Sequence, residues 1–420
     1  MTQKYSVASL KSNKKFIEIV NNLYDGGDVQ KYAGRYSALY KTHASKYGGK
    51  VHFFSSPGRI EICGNHTDHN NGKVLAAAVT IDTLACVSLN DENTVNIDSY
   101  GFSEIRVKLN DLSQRDDEVN TNGLVKGILK KLKDYGYEIG GFNATTTSDV
   151  FKGAGVSSSA AFEVLVAEIV GALFNKGKIT KTQKAVASQF AENVYFKKPC
   201  GLMDQMAVSL GGISGIDFKD DKNPKVKNVK WNFKELAIFV VNCGGDHSDL
   251  TGDYKAIRTD MESVAEFFGQ PKLRFVPPKS IYKNIPQIQR DISGRAALRA
   301  VHYIEENLRV DAAVAAIAAG DKETFLRQVD ASGESSYQLL QNYYTQTDTV
   351  QSIPVAVALA KRFGGVRAAR VHGGGFAGTM LVFADAEKSG AFYKYMVKIY
   401  GVKNVYKLGI RADGAKSVIF

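Results

Sequence analysis

The pattern of apolar and polar positions changes at about residue 51 of the chain. Before that point the sequence is polar, with apolar residues at the helical spacing of Phe16, Ile19, Val20 and Leu23, which predicts helices. After it, short apolar runs alternate with turn residues, a pattern that is typical of β-strands. Strands are predicted at residues 51–54, 59–63, 79–88 and 95–99.

The rest of the chain mixes the two patterns. A helix is predicted at 123–137 and a strand at 142–147, followed by helices to about residue 207 and a strand at 211–218. Further strands are predicted at 236–242, 368–371, 379–384, 405–408 and 417–420, and further helices at 257–268, 295–306, 310–319, 321–340 and 353–363. The polar stretch 220–228, which contains Pro224, predicts a domain boundary. We therefore expect two α+β domains, at residues 1–222 and 223–420.

The composition narrows the class of protein. A chain of 420 residues, 44% of them hydrophobic, is long enough to bury substantial cores. It has no run of about 18 apolar residues, so no membrane span is expected, and its first 20 residues lack the apolar stretch of a secretory signal. The four cysteines are widely spaced and form no C-x-x-C pair, which indicates a reduced, cytoplasmic protein and disfavours a zinc site or disulfide framework.

The net charge of +11 raises the question of an anionic partner. The lysines are scattered, acidic residues interrupt most of their clusters, and no recognisable nucleic-acid module accompanies them. Nucleic-acid binding is therefore not expected. A basic balance also suits a protein that acts on phosphorylated small molecules.

Residues 152–163 read K-G-A-G-V-S-S-S-A-A-F-E and precede an apolar run at helical spacing. Glycine lets the backbone approach an anion, and the free N–H groups of a helix N-terminus point at it. Serine hydroxyls there can cap the helix, bind phosphate oxygens or hold magnesium. The loop lacks the Lys-Ser/Thr ending of a Walker P-loop. It is a candidate phosphate cradle, and the alternative is a turn that only caps the helix.

Residues 55–72 read S-S-P-G-R-I-E-I-C-G-N-H-T-D-H-N-N-G and bring Arg59, Asn65, His66, Asp68 and His69 together. Such a density of hydrogen-bonding side chains suits a polyhydroxylated ligand, because each sugar hydroxyl needs a partner when it leaves water. The alternative is a surface turn. The two histidines lack a third metal ligand at a useful spacing, so a metal site is not favoured.

Two further segments carry weaker signals. Residues 191–205 read A-E-N-V-Y-F-K-K-P-C-G-L-M-D-Q, which places Asp204 beside apolar neighbours, where it could be a base or simply a helix cap. Residues 371–378 read V-H-G-G-G-F-A-G ahead of a predicted strand, and this glycine density indicates a close backbone approach.

In this order the four segments resemble those of the GHMP kinase family and, within it, the galactokinases. The P-G-R-x-x-x-x-G-x-H-T-D segment resembles the galactokinase signature, G-A-G-V-S-S-S-A-A the nucleotide loop, C-G-L-M-D-Q the segment of the catalytic Asp, and H-G-G-G-F-A-G the C-terminal glycine motif. The likeness extends from about Phe53 to the C-terminus. It implies a two-domain GHMP kinase fold with the active site in the interdomain cleft, and phosphoryl transfer from ATP to the anomeric hydroxyl of a hexose.

The resemblance also implies roles for individual residues. Asp204 would be the catalytic base and Arg59 would stabilise charge beside it. The sugar pocket would be lined by Asn65, His66, Thr67, Asp68, Gly201 and Tyr254, the last matched through D-H-S-D-L-T-G-D-Y. The ATP phosphates would be bound by Gly153, Ala154, Gly155, Val156, Ser157, Ser158 and Ser159. Mg2+ would be held by Ser159 and Glu192. The expected partners are a small-molecule sugar and ATP, and a monomer is favoured.

The sequence departs from the family pattern at two places. Galactokinases usually have G-E-H-T-D-Y where this chain has G-N-H-T-D-H, and the family Glu contacts the C6 hydroxyl of the sugar. Asn65 is neutral there, so a C6 carboxylate becomes tolerable, and a galacturonate-like sugar is the alternative substrate to galactose. The chain also has Glu61-Ile62-Cys63 where the family usually has Asn-Leu-Ile, a change to which the sequence assigns no consequence.

A non-catalytic sensor of galactose and ATP on the same fold is the competing class of protein. Sensors of this kind are damaged in the serine-alanine part of the nucleotide loop. Here residues 157–161 are complete, and Arg59, Glu192 and Asp204 are all present, which favours an enzyme.

Overall fold

The chain forms two β-sheets surrounded by helices in a computed structural model, which describes residues 4–150, 155–198, 200–244, 250–345, 347–376 and 378–420. The described strands are β1 His52–Cys63, β2 Lys73–Leu89, β3 Thr94–Ser99, β4 Ile105–Lys108, β5 Phe142–Ser148, β6 Ile213–Asp217, β7 Lys225–Val229, β8 Leu236–Gly244, β9 Val366–His372, β10 Gly378–Asp385, β11 Val405–Leu408 and β12 Lys416–Val418. The predicted α+β class is confirmed.

The helices lie in groups between these strands along the chain. The described α-helices are α1 Val7–Ser12, α2 Lys14–Leu23, α3 Val29–Lys46, α4 Thr121–Asp134, α5 Ser158–Phe174, α6 Lys181–Phe190, α7 Met203–Leu210, α8 Thr251–Phe267, α9 Pro278–Lys283, α10 Ile285–Asp291, α11 Gly294–Ala319, α12 Lys322–Ser335, α13 Ser352–Arg362 and α14 Ser389–Tyr400. A π-helical turn, Ala191–Tyr195, follows α6 directly. No helix in the described ranges is both long and apolar enough to cross a bilayer.

The first sheet has eight strands in the order β12-β1-β2-β5-β3-β4, with β6 paired to β2 and β7 paired to β6. The second sheet has the order β11-β8-β10-β9. One core cluster contains residues of both sheets, among them Ile60, Leu75, Val240 and Leu381, together with Val314 of α11. The two sheets therefore share buried apolar surface, and burial of that kind is the main stabilising term in folding.

Strand β1 joins two segments that the sequence predicts as separate strands. Pro57 and Gly58 lie within it, and its register against β2 shifts between Pro57 and Arg59. An irregularity of this kind accommodates proline inside a sheet and re-aims the side chains that follow. Arg59 is the first residue after the shift, and its N–H donates to the carbonyl of Val156, 3.1 Å away.

The polar stretch at 220–228, predicted as a domain boundary, contains part of β7. Both β7 and the C-terminal strand β12 pair in the first sheet, although they lie beyond residue 222. The domain boundary at 222/223 stays a prediction. Residues 295–306 and 310–319, predicted as two helices, form the single helix α11.

Candidate active site

Arg59 and Asp204 form the centre of the candidate site. Arg59 is 5% exposed on β1, and Asp204 lies in the first turn of α7. Arg59 Nε is 2.6 Å from Asp204 Oδ1, and Nη2 is 2.8 Å from Oδ2, which is the bidentate geometry that guanidinium and carboxylate favour. Burial alone would raise the pKa of Asp204, but the charge and hydrogen bonds of Arg59 outweigh it and lower that pKa. The carboxyl is therefore held ionised.

The Gly-Ser loop, residues 153–159, reaches the same pair. Gly153 and Ala154 lie outside the described residues. Arg59 Nη1 donates to the Gly155 carbonyl, and Ser157 Oγ donates to Asp204. Gly155 has φ +64° and its missing Cβ would overlap Thr379 Oγ1, so glycine is required there.

Helix α5 begins just after Ser157, which adopts a left-handed φ of 59° and makes no capping hydrogen bond. A non-glycine residue in that conformation is strained, and such strain concentrates at functional sites. Ser158 and Ser159 occupy the first turn of α5 and are partly exposed. The helix N-terminus thus presents uncapped N–H groups beside two accessible hydroxyls, which is an arrangement suited to phosphate oxygens.

The His-Asp turn, residues 64–69, contacts α7 next to Asp204, because Asp68 Oδ2 accepts from the N–H of Met203. His66 has φ 56°, and burial lowers the pKa of its imidazole to about 4, so the ring is neutral at pH 7. Its Nε2 lies 2.9 Å from the Gly374 carbonyl, which can only accept, and we therefore assign the proton to Nε2. Burial, followed by the negative charge of Asp204, raises the pKa of Asp68 to about 6. A Cβ at Gly201 would overlap Asp68 Oδ2.

Three residues predicted for the sugar pocket converge on the glycine turn, residues 373–375. The Gly373 carbonyl accepts from Asn65 Nδ2 at 2.8 Å, and the Gly374 carbonyl accepts from His66. The Gly375 carbonyl accepts from Tyr254 Oη at 3.1 Å. Each of these three consecutive carbonyl groups is therefore held by a different side chain.

Asn65 and Thr67 are both buried, with 0% of their surface exposed. The Thr67 hydroxyl lies 2.6 Å from the Lys73 carbonyl and 3.0 Å from the Gly64 carbonyl. The amide of Asn65 also donates to Glu61 Oε1 at 2.8 Å, and its Oδ1 accepts from Asn342 at 2.7 Å. Both side chains therefore hold the His-Asp turn in place by contacts within the protein.

Glu192, predicted as a magnesium ligand, lies in the π-helical turn and is 4% exposed. Its carboxylate accepts from Lys198 Nζ at 2.8 Å and from Gln205 Nε2 at 2.9 Å. Gln205 Nε2 also lies 3.1 Å from Glu163 Oε2. Burial, followed by the charge of Glu192, raises the pKa of Glu163 well above its usual range.

The oxygen atoms near Glu192 match the ligands that magnesium prefers. Glu163 Oε1 and Gln205 Oε1 are buried and have no hydrogen-bond partner. Ser159 lies one helical turn before Glu163 on α5. Over the described ranges, no group of three or more His, Cys, Asp or Glu side chains is placed to hold a metal ion. A cation here would thus be bound by few protein oxygens, as magnesium often is when substrate phosphates complete its shell.

Sequence reasoning missed Glu163, Gln205 and Arg370, and it noted Glu61 without assigning it a role. Arg370 is fully buried on β9, and its Nη2 lies 3.0 Å from Glu61 Oε1. A buried charge needs a partner, so the charged residue within the apolar β9 pattern was a usable signal. The glutamate within the apolar face of α5 was a similar signal, whereas nothing in the spacing pairs residue 61 with residue 370.

Comparisons with known proteins find similar sequences. The galactokinase galactose-binding signature matches residues 41–89, and the GHMP kinases N terminal domain matches residues 123–212. A galactokinase of Clostridium tetani is 27% identical over 376 residues, which cover 88% of this chain and 94% of the relative. A galactokinase of Lactococcus lactis subsp. cremoris is 29% identical, covering 87% of this chain and 91% of the relative.

Solved structures of galactokinase and mevalonate kinase share the fold of this chain. The crystal structure of Lactococcus lactis galactokinase complexed with galactose superposes with a TM-score of 0.78 at 25% identity, covering 91% of this chain and 98% of that one. A mevalonate kinase structure, at 15% identity and a TM-score of 0.60, shares the fold over 85% of this chain and 98% of its own. The fold is therefore that of the GHMP kinases. The galactose-binding signature, the curated relatives and the Lactococcus lactis structure make the chain similar to the galactokinases.

Proposed function

We propose that this protein transfers the γ-phosphoryl group of ATP to the anomeric hydroxyl of galactose. The observation that carries the proposal is the Arg59–Asp204 ion pair, to which the Gly-Ser loop is joined through Ser157 and the Gly155 carbonyl. This arrangement places a carboxylate base and a fixed positive charge beside a helix N-terminus. Phosphoryl transfer needs little more than such positioning and charge stabilisation.

Asp204 is proposed to orient the sugar hydroxyl and to accept its proton as the new O–P bond forms. An Asp side chain, with an ordinary pKa of about 3.9, cannot remove that proton beforehand. It can take the proton during the transfer, when the hydroxyl becomes acidic. Arg59 keeps Asp204 ionised and opposes the negative charge that develops beside it.

The Gly-Ser loop is proposed to bind the ATP phosphates through Gly153, Ala154, Gly155, Val156, Ser157, Ser158 and Ser159. Ser159 and Glu192 are proposed to hold the Mg2+ that accompanies ATP and neutralises its phosphate charge. Lys198 occupies one oxygen of Glu192, and 60% of its side chain is exposed. The Lys198 ammonium group can therefore move into solvent at a small cost in free energy and expose that Glu192 oxygen to Mg2+.

The sugar pocket is proposed to lie between the His-Asp turn and α7. His66, Asp68, Gly201 and Tyr254 line it, and Asn65 and Thr67 belong to the turn that carries them. Asp68 accepts from the N–H of His69 at 2.9 Å and from the N–H of Met203 at 3.4 Å. An acceptor held in this way suits the vicinal hydroxyls of a hexose.

The direct test is sugar-dependent ADP release, measured with galactose, glucose, galacturonate and no sugar. We expect the largest kcat/KM with galactose and none without sugar, and phosphate on the anomeric carbon of the product. A preference for galacturonate would change the substrate but keep the reaction. Binding of both ligands without ADP release would contradict the proposed activity and indicate a sensor.

Four described cysteines are free thiols, which suits a reducing compartment such as the cytoplasm. We also propose a cytoplasmic location and a monomeric state. Light scattering on the purified protein measures the second, and a mass near 45.8 kDa is expected for a monomer.

A further inference from the structure

The amide of Asn65 has no free hydrogen-bonding capacity. Its Nδ2 donates to Glu61 Oε1 and to the Gly373 carbonyl, each at 2.8 Å. Its Oδ1 accepts from Asn342 Nδ2 at 2.7 Å and from Ser336 Oγ at 3.2 Å. An Asn side chain offers two N–H groups and two lone pairs, so all four are used within the protein. No donor or acceptor is left for a sugar hydroxyl.

Glu61 determines which way this amide faces. Glu61 Oε1 can only accept when ionised, and Arg370 Nη2 donates to the same oxygen at 3.0 Å. The neighbouring acceptor, the Gly373 carbonyl, imposes the same orientation on Asn65. A Glu at position 65 would therefore place its carboxyl group against the Glu61 carboxyl group and the Gly373 carbonyl group, both of which now accept from the amide.

The two departures from the galactokinase pattern thus occur at positions that touch each other. The family usually has Asn at the position of Glu61 and Glu at the position of Asn65, so the carboxyl and the amide have changed places. Because the pair is buried, with Glu61 3% exposed and Asn65 not at all, each residue restricts what the other can be.

The glycine turn held by Asn65 also packs on the Gly-Ser loop. A Cβ at Gly373 would lie 3.7 Å from the Gly155 carbonyl, and a Cβ at Gly155 would lie 3.1 Å from His372 Nδ1. The N–H of Glu61 in turn donates to His372 Nε2 at 3.1 Å. One buried network therefore connects the His-Asp turn, the glycine turn and the Gly-Ser loop.

We propose that Asn65, oriented by Glu61, is a positioning residue that fixes the glycine turn against both the sugar pocket and the nucleotide loop, and that it does not read the C6 group of the sugar. This inference rests on the proposed sugar kinase activity. It adds to that activity a structural role for the pair Glu61 and Asn65. A C6 contact would act on the sugar alone, whereas a positioning role acts on sugar and nucleotide together.

The test compares Asn65→Glu with the exchanged double variant Glu61→Asn/Asn65→Glu. The single variant brings two carboxylates together in a buried site, and we expect kcat/KM for galactose to fall by about 100-fold or more, with a lower Tm. KM for ATP and KM for galactose should both rise. In the double variant, the amide of residue 61 can again donate to the carboxylate of residue 65. We therefore expect kcat/KM to be about 10-fold higher than in Asn65→Glu, and Tm to rise part of the way back to the wild-type value.

Asn96 supplies the matched control. It is a buried Asn on β3 whose Nδ2 bonds Asn143 at 2.8 Å. Asn96→Glu should also lower Tm, but adding Glu61→Asn should not rescue it. If Asn65→Glu does not fold, recovery of folded protein in the exchanged double variant still decides the question.

Three results would overturn the proposal. The first is a double variant that is no more active and no more stable than Asn65→Glu. The second is an Asn65→Glu protein that keeps its galactose activity, and the third is a rise in KM that is confined to the sugar. Failure of the proposed function is distinguishable, because the wild-type protein would then release no ADP with any sugar, while the Tm values would still report on the pairing.

Discussion

Arg59 and Asp204 lie 145 positions apart and meet through two hydrogen bonds of 2.6 Å and 2.8 Å, one to each carboxylate oxygen. Arg59 follows an irregularity in β1, and Asp204 opens α7. The pair joins the first sheet to the Gly-Ser loop and keeps Asp204 ionised in a half-buried place. A base of lowered pKa can orient a hydroxyl over a wide pH range, since it does not lose its charge near neutrality.

The Arg59 charge should set the acid limb of the pH–rate profile. Burial favours protonation of Asp204 and Arg59 opposes it, so Arg59→Ala should raise the pKa of Asp204. Because the base must be ionised, kcat/KM decreases on acidification. In Arg59→Ala this decrease should begin at a higher pH than in the wild type. Arg59→Lys keeps the charge and should keep the limb near that of the wild type. If the acid limbs of the pH–rate profiles of Arg59→Ala and the wild type coincide, Arg59 does not control the ionisation of Asp204.

The same pair links stability to pH. The pKa of Asp204 is lower in the folded state than in the unfolded state, so its contribution to stability is present above the unfolded value. That contribution is lost as the pH falls toward the folded pKa. Tm should therefore decrease on acidification more steeply in the wild type than in Asp204→Asn.

Gly201 should not tolerate a side chain. A Cβ there would overlap Asp68 Oδ2, so Gly201→Ala should displace Asp68 from the sugar pocket and strongly reduce kcat/KM for galactose. Binding of ATP, measured by calorimetry, should change little. Gly34→Ala on α3 is the control, because a Cβ at Gly34 meets nothing within 4 Å and alanine favours the helix. Galactose kinetics of Gly201→Ala that overlay those of Gly34→Ala would be inconsistent with this packing.

Magnesium dependence should follow Ser159 and Glu192. Ser159→Ala deletes an oxygen ligand and Glu192→Gln neutralises one, so each should raise the magnesium concentration needed for half-maximal activity and for nucleotide binding. Lys198→Met removes the cation that pairs with Glu192 and should lower that concentration. Magnesium titrations of all three variants that match the wild type would show that the ion binds elsewhere.

The sequence predicted the local structure well and the contacts between distant segments poorly. Apolar periodicity located most strands and helices, because burial on one face leaves a regular pattern. The apolar pattern divided α11 into two helices at Asn307, whereas the structure has one continuous helix there. The Asn307 side chain donates to the Tyr303 carbonyl at 2.6 Å and accepts from the Lys73 N–H. The pattern also divided β1 at Pro57, because proline usually ends a strand.

In the candidate site, too, the sequence predicted the segments but not the contacts between them. The motifs placed Arg59, Asp204 and Ser157 in three separate segments, and the fold brings all three into contact. For Asn65 the resemblance suggested a sugar contact, whereas the structure gives four partners within the protein. The sequence could not reveal this, because those partners lie on segments up to 308 positions away. Only the fold shows that residues 61 and 65 must be considered together.

Turnover of Asp204→Asn with galactose and ATP, measured beside the wild type, tests the central claim most directly. The substitution keeps the volume of the side chain but removes the proton acceptor, so kcat should fall by about 10²–10⁴-fold. Calorimetric binding of ATP should be retained, which shows that the loss is one of chemistry rather than of folding. A kcat within a few-fold of the wild type would contradict the role of Asp204 as the base and, with it, this account of the site.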